Sequence, residues 1–216
     1  ITPVARVQKG KSGGVEVSNV TLHNEDEIPR IDIRIGDTVY IERAGDVIPH
    51  ILSVVKEKRT KMSKKYFISK QCPACGQITI KKEGEAARKC MNTDCKAQKI
   101  ENLIHFCSKN GMNIDGLGNK QIKFFFKKDI VTKYSDIFKL YEKKDELKSY
   151  DGFGELSVNK LLSNINKAIW ENFDKFLTSL GINQVGENTS KILAKQYVNL
   201  PDLINNIKKA TDKVSD

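Results

Sequence analysis

The first 58 residues alternate between apolar and polar positions, as half-buried strands do. Val39 and Ile41 lie on one face of the run from 38 to 43, while Tyr40 and Glu42 lie on the other. Glycine turns separate the runs at 13–14, 36–37 and 45–46. Short strands with such turns predict a small β-barrel, since closure removes exposed sheet edges. An OB-like barrel is favoured because it commonly serves nucleic acid, although another five-stranded barrel would give almost the same pattern.

From about residue 97 the apolar period becomes helical. Two stripes at i, i+3, i+4 and i+7 predict core-facing helix faces: Ile100, Leu103, Ile104 and Cys107, then Phe173, Phe176, Leu177 and Leu180. Cys107 is interpreted as a small buried hydrophobe, and Trp170 is assigned to the core with the stripes. The segment from 200 to 216 looks like the opening helix of a further unit, with Leu203, Ile204 and Ile207 on one face.

Three places in this helical half share a hydrophobic residue, a glycine hairpin and then an amphipathic helix. Their hairpin glycines are Gly116 and Gly118, Gly152 and Gly154, and Gly186. Gly118 to Gly154 is 36 residues and Gly154 to Gly186 is 32, a spacing typical of repeated helical pairs. Glycine lets the backbone approach a phosphate, and the following helix points unpaired N–H groups at the anion. Such a hairpin holds a DNA strand without reading its sequence.

A single glycine hairpin is weak evidence for phosphate binding, because a helix-turn-helix needs glycine for steric reasons alone. Three hairpins at a regular spacing make phosphate binding the better interpretation. A G-x-G-x-x-G dinucleotide fingerprint would need glycine at Gln121 and is not supported.

Four cysteines form the pattern C-x2-C-x14-C-x4-C: Cys72, Cys75, Cys90 and Cys95. Two close pairs joined by a hairpin-length spacer can place four thiolates around a Zn²⁺ ion. Two disulfides are the competing arrangement, which a chain with no secretory signal disfavours. A four-thiolate site is closed to water and substrate, so the expected role is structural.

The net charge fits an acidic polymer as the partner, although such a charge can equally serve to keep a small protein soluble. Lysine and arginine total 37 against 27 acidic residues, a formal net charge of +10 with 39% hydrophobic residues. A basic connector, residues 56–70, holds seven of those cations and one Glu, and a solvated linker is its simpler interpretation. No apolar run approaches a membrane span and no leader opens the chain, so a cytoplasmic protein is expected. The abrupt start at Ile1, without Met, suggests a piece of a longer sequence.

These observations predict a multi-domain α+β chain. An OB-like β-barrel and basic connector occupy residues 1–69, a four-cysteine zinc finger residues 70–97, and an all-α helix-hairpin-helix domain residues 98–216, cut off within a fourth repeat.

In order and spacing the chain resembles the middle and late portion of bacterial NAD⁺-dependent DNA ligase. The resemblance covers essentially the whole chain and is carried by TPVA at 2–5, VTLHNEDEI at 20–28, IRIGDTV at 33–39, RAGDVIP at 43–49, CPACG at 72–76, GEA at 84–86 and LGINQVGE at 180–187. Two departures are Lys96, where the family usually has proline after the fourth cysteine, and the missing first glycine of the third hairpin.

The resemblance implies an enzyme that seals nicks in duplex DNA with NAD⁺ and Mg²⁺, in which an active-site lysine of a Lys-x-Asp-Gly motif accepts AMP. This sequence lacks that motif: Lys148 to Gly152 reads K-x-x-D-G, and Asn113 to Gly116 reads N-x-D-G. No catalytic residue is therefore assigned here. The adenylation domain is expected before Ile1 and the family's BRCT domain after Asp216, with NAD⁺ and Mg²⁺ bound mainly outside this chain.

By residue, the resemblance assigns Arg43, Val47 and Ile48 to the barrel surface that meets DNA beside the nick. An arginine there can hold phosphate with a forked pair of donors, and the aliphatic residues can press on the minor groove. The expected partners are nicked double-stranded DNA and the adenylation domain, with the protein a monomer. Two alternatives stay open: an independent nucleic-acid-binding module of a repair nuclease or helicase, and a zinc-bearing interaction scaffold that binds no nucleic acid.

Overall fold

The computed structural model describes residues 1–12, 15–44 and 48–212, with side chains outside 9–15 and 43–48. The chain folds as two compact units, Ile1–Cys95 and Lys96–Asp216. Within the described ranges no helix has both the length and the apolar character needed to cross a membrane.

The first unit is built mainly from short strands. Its elements are β1 (Val4–Ser12), β2 (Val15–Thr21), α1 (Glu27–Arg30), β3 (Arg34–Ile35), β4 (Val39–Ala44), β5 (Ile48–Val54), a 3-10 turn (Lys56–Lys58), β6 (Lys64–Lys65), β7 (Thr79–Ile80) and β8 (Lys89–Cys90). Four strands form a sheet in the order β1-β2-β5-β4, while β3 pairs with β6 and β7 with β8. All of these pairings are antiparallel except β2 with β5.

The core beneath the four-stranded sheet follows the alternation that the sequence predicts. Its buried members are Val17, Val20, Leu22, Ile28 and Ile51. Val39 and Ile41 of β4 pack against this cluster, whereas Tyr40 on the opposite face is exposed. The predicted turn at 36–37 is present, with Gly36 at φ 93°, a value that favours glycine. The predicted turns at 13–14 and 45–46 lie outside the described residues.

The second unit is helical throughout its described part. Its elements are α2 (Lys96–Cys107), α3 (Asn119–Lys127), α4 (Tyr134–Ile137), a 3-10 turn (Leu140–Lys143), α5 (Lys144–Lys148), α6 (Glu155–Ala168), α7 (Phe173–Ser179), α8 (Glu187–Gln196) and α9 (Leu200–Asp212). Leu103 and Cys107 of α2 are buried in one continuous core with Phe125 of α3 and Val158 of α6. Leu177 of α7 is also buried, so both predicted stripes face the interior.

The assignment of Trp170 to the core is wrong. Its side chain is 83% exposed. The inward stripe of α6 ends at Ala168, where the helix itself ends, and Trp170 follows two residues later, off that stripe. A large aromatic residue close to an apolar stripe in sequence need not share its face once the helix has stopped.

Helix α9 forms where the sequence predicts it, but its apolar face is only partly buried. Leu203 is 7% exposed, whereas Ile204 and Ile207 are 40% and 52% exposed.

Candidate zinc centre and nucleic-acid interface

The first cysteine pair sits on a tight knuckle. The Gly76 N–H donates to the Cys72 carbonyl at 2.8 Å, and the Cys72 N–H donates to the Gln77 carbonyl at 2.8 Å. Gly76 adopts φ 72°, the left-handed region that lets the chain reverse within one turn. This reversal brings the side chains of Cys72 and Cys75 to the same side of the loop.

The second cysteine pair reaches the same place through a short hairpin. Cys90 ends β8 and pairs with Thr79 of β7, and Cys95 follows a turn in which its N–H donates to the Asn92 carbonyl at 3.1 Å. The buried Thr79 hydroxyl donates to the Lys70 carbonyl at 2.8 Å, which fixes the start of the finger to its hairpin.

The four sulfurs fit a tetrahedral Zn²⁺ site. All lie within 4.8 Å of one another, with Cys72 Sγ 4.0 Å from Cys95 Sγ and Cys75 Sγ 3.6 Å from Cys90 Sγ. A tetrahedron with Zn–S bonds of about 2.3 Å has edges of about 3.8 Å, so the thiolates need little movement to bind the ion. Four protein thiolates fill such a site, and the zinc is structural.

The thiols of the cluster influence one another's protonation. The Gln77 N–H, followed by the Asn92 side chain, lowers the pKa of Cys75 to about 6. The Asn92 N–H acts in the same direction on Cys90, but burial and the neighbouring Cys75 outweigh it and raise the pKa of Cys90 to about 11. One thiolate is therefore available near neutral pH, while the other gives up its proton when a metal takes its place.

Ion pairs join the finger to the barrel within the first unit. Arg88 donates from Nε to Glu25 Oε2 at 2.7 Å and from a terminal nitrogen to Oε1 at 3.1 Å. Lys81 Nζ lies 2.6 Å from Asp26 Oδ1. The hydrogen bond from Arg88 holds the pKa of Glu25 below its usual value. Sequence reasoning missed these contacts, because 63 residues separate Arg88 from Glu25 and neither lies in a pattern that marks a partner.

The first predicted glycine hairpin is a tight turn that leads directly into a helix. The Leu117 N–H donates to the Ile114 carbonyl at 3.1 Å, and Gly116 at the third position has φ 96°. These features are those of a type II turn, which requires positive φ at that position. Gly118 then caps α3 in an extended conformation (φ −76°, ψ −178°), and its carbonyl accepts from the Ile122 N–H at 3.0 Å.

The second hairpin repeats this backbone. The Phe153 N–H donates to the Tyr150 carbonyl at 3.1 Å, Gly152 has φ 81°, and Gly154 caps α6 at φ −65°, ψ 165°. The Val158 N–H closes the first helical bond on the Gly154 carbonyl at 3.0 Å.

The third hairpin does the same without the first glycine. The Val185 N–H donates to the Ile182 carbonyl at 3.0 Å, and Gly186 caps α8 at φ −85°, ψ −174°. Gln184 occupies the left-handed position at φ 66°. The missing glycine noted in the sequence therefore leaves the backbone path unchanged, although a side chain is strained at that position.

The cap glycines are not explained by the protein's own packing. A Cβ added at Gly154 or Gly186 would meet nothing within 4 Å, and at Gly118 it would meet only the end of the Gln121 side chain at 3.4 Å. All three have negative φ, which any residue adopts. The space above each cap is open, and the N–H groups of the first helical turn have no partner within the helix.

The charges at the three helix starts differ. Glu155 follows Gly154 and Glu187 follows Gly186, but each carboxylate is paired: Glu155 with Lys148 at 3.0 Å and Glu187 with Lys191 at 2.6 Å. These lysines hold the pKa of both carboxyls below its usual value. Helix α3 has no acidic residue in its first turn, so its start is the most favourable of the three for an anion.

The predicted barrel residues lie at the facing ends of β4 and β5. The backbone of Arg43 pairs with Pro49, and Ala44 pairs with Ile48. Val47 lies outside the described residues, as do the side chains of Arg43 and Ile48.

Comparison with known proteins matches two segments of the first unit to domains of one family. Residues 1–63 match the family model of the NAD-dependent DNA ligase OB-fold domain, and residues 71–97 match that of the NAD-dependent DNA ligase C4 zinc finger domain. A protein of Thermodesulfovibrio yellowstonii described as DNA ligase is 47% identical over 94% of this chain and 30% of its own length. The corresponding values are 45%, 91% and 29% for a DNA ligase of Afipia carboxidovorans, and 46%, 95% and 29% for one of Sulfurihydrogenibium azorense.

The chain spans about 30% of the length of these curated relatives. The family models also decide between the barrel types that the sequence pattern left open, in favour of the OB fold. Two segments of the chain, residues 1–63 and 71–97, are thus similar to the OB-fold domain and the C4 zinc finger domain of NAD-dependent DNA ligases.

Proposed function

We propose that this chain is the DNA-clamping portion of an NAD⁺-dependent DNA ligase that seals nicks in duplex DNA during replication and repair. In this proposal the second unit is a helix-hairpin-helix domain that grips the phosphate backbone. The chemistry belongs to an adenylation domain elsewhere in the parent protein. The observation that carries the proposal is the threefold repetition of one backbone path, a tight turn followed by a glycine-capped helix start.

Phosphate binding explains the open glycines. Gly118, Gly154 and Gly186 have no steric need to be glycine within the protein, and their lack of a side chain leaves room for a group that approaches from outside. Backbone N–H groups and the positive end of the helix dipole stabilise an anion at that place. Gly116 and Gly152 contribute by forming the turns that orient these N–H groups. Contacts of this kind bind all sequences alike.

The OB fold supplies a second contact with the same duplex. The end of the β4–β5 hairpin, with Arg43, Val47 and Ile48, is the proposed contact beside the nick. Arginine can hold phosphate in a bidentate manner, and aliphatic side chains can press against the minor groove. The zinc site, Cys72, Cys75, Cys90 and Cys95, keeps the finger folded, because a segment of this length has no core of its own.

The division of labour follows from the groups that the chain contains. Formation of a lysine–AMP bond requires the Lys-x-Asp-Gly motif, which is absent from these 216 residues. The parent enzyme would therefore bind NAD⁺ and Mg²⁺ mainly outside this chain, and the chain alone would be inactive. Its contribution would be affinity for the nicked duplex and the geometry in which the broken ends are held.

Nick sealing in trans tests this proposal. The chain is mixed with a separately produced adenylation domain of a related ligase, and sealing of a nicked duplex is followed with NAD⁺ and Mg²⁺ present. We expect neither part alone to seal efficiently and the mixture to do so. The variant Gly118→Ala should lower sealing, while Asn205→Ala, on an exposed position of α9, should not. A mixture no more active than the adenylation domain alone would contradict the proposal.

A further inference from the structure

The basic connector, residues 56–70, presents an exposed and unpaired set of positive charges. Six lysines of this segment are exposed: Lys56, Lys58, Lys61, Lys64, Lys65 and Lys70. Among the described residues, none of the six lies within 4 Å of a carboxylate. The one acidic residue of the segment is Glu57. The charge is therefore available to an outside partner.

The connector is fixed to the barrel by a partly buried ion-pair cluster. Arg59 donates from Nε to Asp37 Oδ1 at 3.0 Å and from NH1 to Asp32 Oδ2 at 2.6 Å. The Asp37 side chain is only 1% exposed. Arg59 thus occupies both nearby carboxylates, which cannot then neutralise the lysines on either side of it.

Three further contacts order the backbone of the segment. Lys64 and Lys65 form β6 on the edge of β3, Ile68 packs against the barrel core, and the Lys70 carbonyl accepts from Thr79. A solvated linker, the simpler interpretation of the sequence, needs none of these attachments. The lysines are displayed by an ordered surface.

Exposed apolar side chains lie among the lysines. Phe67 is 80% exposed, Met62 85% and Tyr66 46%. Water-facing rings add nothing to the solubility of a linker. Lysines interleaved with aromatic residues are typical of surfaces that bind unpaired nucleic-acid strands, whereas on a duplex the lysines would make the contacts, with phosphate. The OB-fold match ends at residue 63 and the zinc-finger match begins at 71, so residues 64–70 belong to neither family model.

The connector is separate from the barrel contact already proposed. It leaves β5 after Val54, where the Val55 N–H donates to the Thr38 carbonyl at 2.9 Å. Ile48 begins that strand, six residues before Val54. At about 3.3 Å per residue, the two ends of β5 are about 20 Å apart. A duplex held at the Arg43–Ile48 end would need a different stretch of its backbone to reach the connector.

We propose that the connector is an additional phosphate-binding surface for duplex DNA, in which its lysines contact the backbone without sequence preference. This inference rests on the proposed function, since it assumes that the chain binds nicked duplex. It assigns part of the affinity for DNA to the connector lysines, which lie outside both the glycine hairpins and the β4–β5 turn.

The salt dependence of binding tests the inference. The 216-residue chain and the variant K58Q/K61Q/K64Q/K65Q are titrated against fluorescently labelled nicked duplex at several salt concentrations. The slope of log K against log salt should become shallower by about 0.9 for each phosphate that is no longer neutralised, or by about 3 to 4 in total. The variant K58R/K61R/K64R/K65R should keep the unmodified slope. The control K139Q/K167Q/K208Q/K209Q removes the same charge from exposed positions of the second unit.

The possible results separate the two proposals. If the unmodified chain binds DNA and only the connector variant has the shallower slope, the inference stands. If the connector variant keeps the full slope, or the slope of the control falls as much, the inference is overturned while the proposed function survives. If the unmodified chain shows no salt-dependent binding, both are overturned. Equal unfolding temperatures for all the chains would show that each is folded, as expected for exposed lysines without ion pairs.

Discussion

Replacement of the two glycines of the first hairpin separates folding from DNA binding. Gly116 has φ 96°, and a Cβ added there would lie 3.3 Å from Leu161 Cδ1. Gly118 has φ −76°, and its nearest neighbour would be a flexible side-chain atom at 3.4 Å. The two positions are two residues apart, so a variant at either perturbs the same turn. Only the first is required by the fold.

The structure gives different magnitudes for the two alanine variants. Gly116→Ala forces an L-residue into the left-handed region and should lower the free energy of unfolding by about 1 to 2 kcal/mol. For Gly118→Ala, the reduced freedom of the unfolded chain stabilises by about 0.4 to 1 kcal/mol. Alanine caps a helix less well than glycine, which offsets that gain. The net change in stability at Gly118 should therefore stay within about 0.5 kcal/mol.

DNA affinity should fall in Gly118→Ala even though the stability of that variant changes little. On the proposed function, a methyl group at position 118 would stand between a bound phosphate and the backbone N–H groups, and a hydrogen bond to a charged group contributes about 1.5 to 3 kcal/mol. Gly118→Ala should therefore weaken binding to nicked duplex at least tenfold, equally for unrelated sequences. Urea unfolding measures the stability, and fluorescence anisotropy the affinity. Unchanged affinity, or a stability loss as large as that of Gly116→Ala, would refute this account of Gly118.

Three further perturbations follow from the first unit. Removal of zinc by a strong chelator should unfold residues 70–97, with a change in circular dichroism that added zinc reverses; an unchanged spectrum would contradict a structural metal. Asp37→Asn should lower the free energy of unfolding by about 2 kcal/mol at neutral pH, measured by urea unfolding, because Asp37 accepts charge-assisted hydrogen bonds from Arg59. Burial alone would raise the pKa of Asp37, but the hydrogen bonds from Arg59 and a backbone N–H hold it below its usual value. Its stabilisation should thus be complete above about pH 4 and be lost as pH falls through the lowered pKa, a loss that the asparagine variant should not show. Glu25→Gln removes the ion pair between Glu25 and Arg88 and should let the zinc finger separate more readily from the barrel. Amide hydrogen exchange in β7 and β8 should then be faster. Equal exchange rates in the variant and the unmodified chain would show that this ion pair does not hold the two parts together.

Local patterns allowed much of the fold and of the candidate site to be predicted. The cysteine spacing predicts a metal centre because the ligands come from two short loops whose geometry is set within a few residues. The glycine hairpins are predictable for the same reason: φ at Gly116 and Gly152 depends on the turn itself. The stripe containing Leu103 and Cys107 identifies a buried face because an α-helix keeps its period.

Other features depend on distant parts of the chain and could not be found in this way. Arg59 and Asp37 are 22 residues apart, and Glu25 and Arg88 are 63 apart; charged residues are common, and nothing local marks which of them will meet. Trp170 lies close to an apolar stripe in sequence but outside the helix that carries it, which ends at Ala168, and no local pattern marks this difference. The order of the connector likewise depends on contacts that only the folded barrel provides.

The central claim is that this chain binds the backbone of duplex DNA, and its affinity for nicked duplex as a function of salt tests that claim most directly. We predict measurable binding of the zinc-loaded chain in dilute buffer, a linear fall of log K as log salt rises, and the same line for duplexes of unrelated sequence. Absence of binding in dilute buffer, or an affinity that does not change with salt, would contradict the claim.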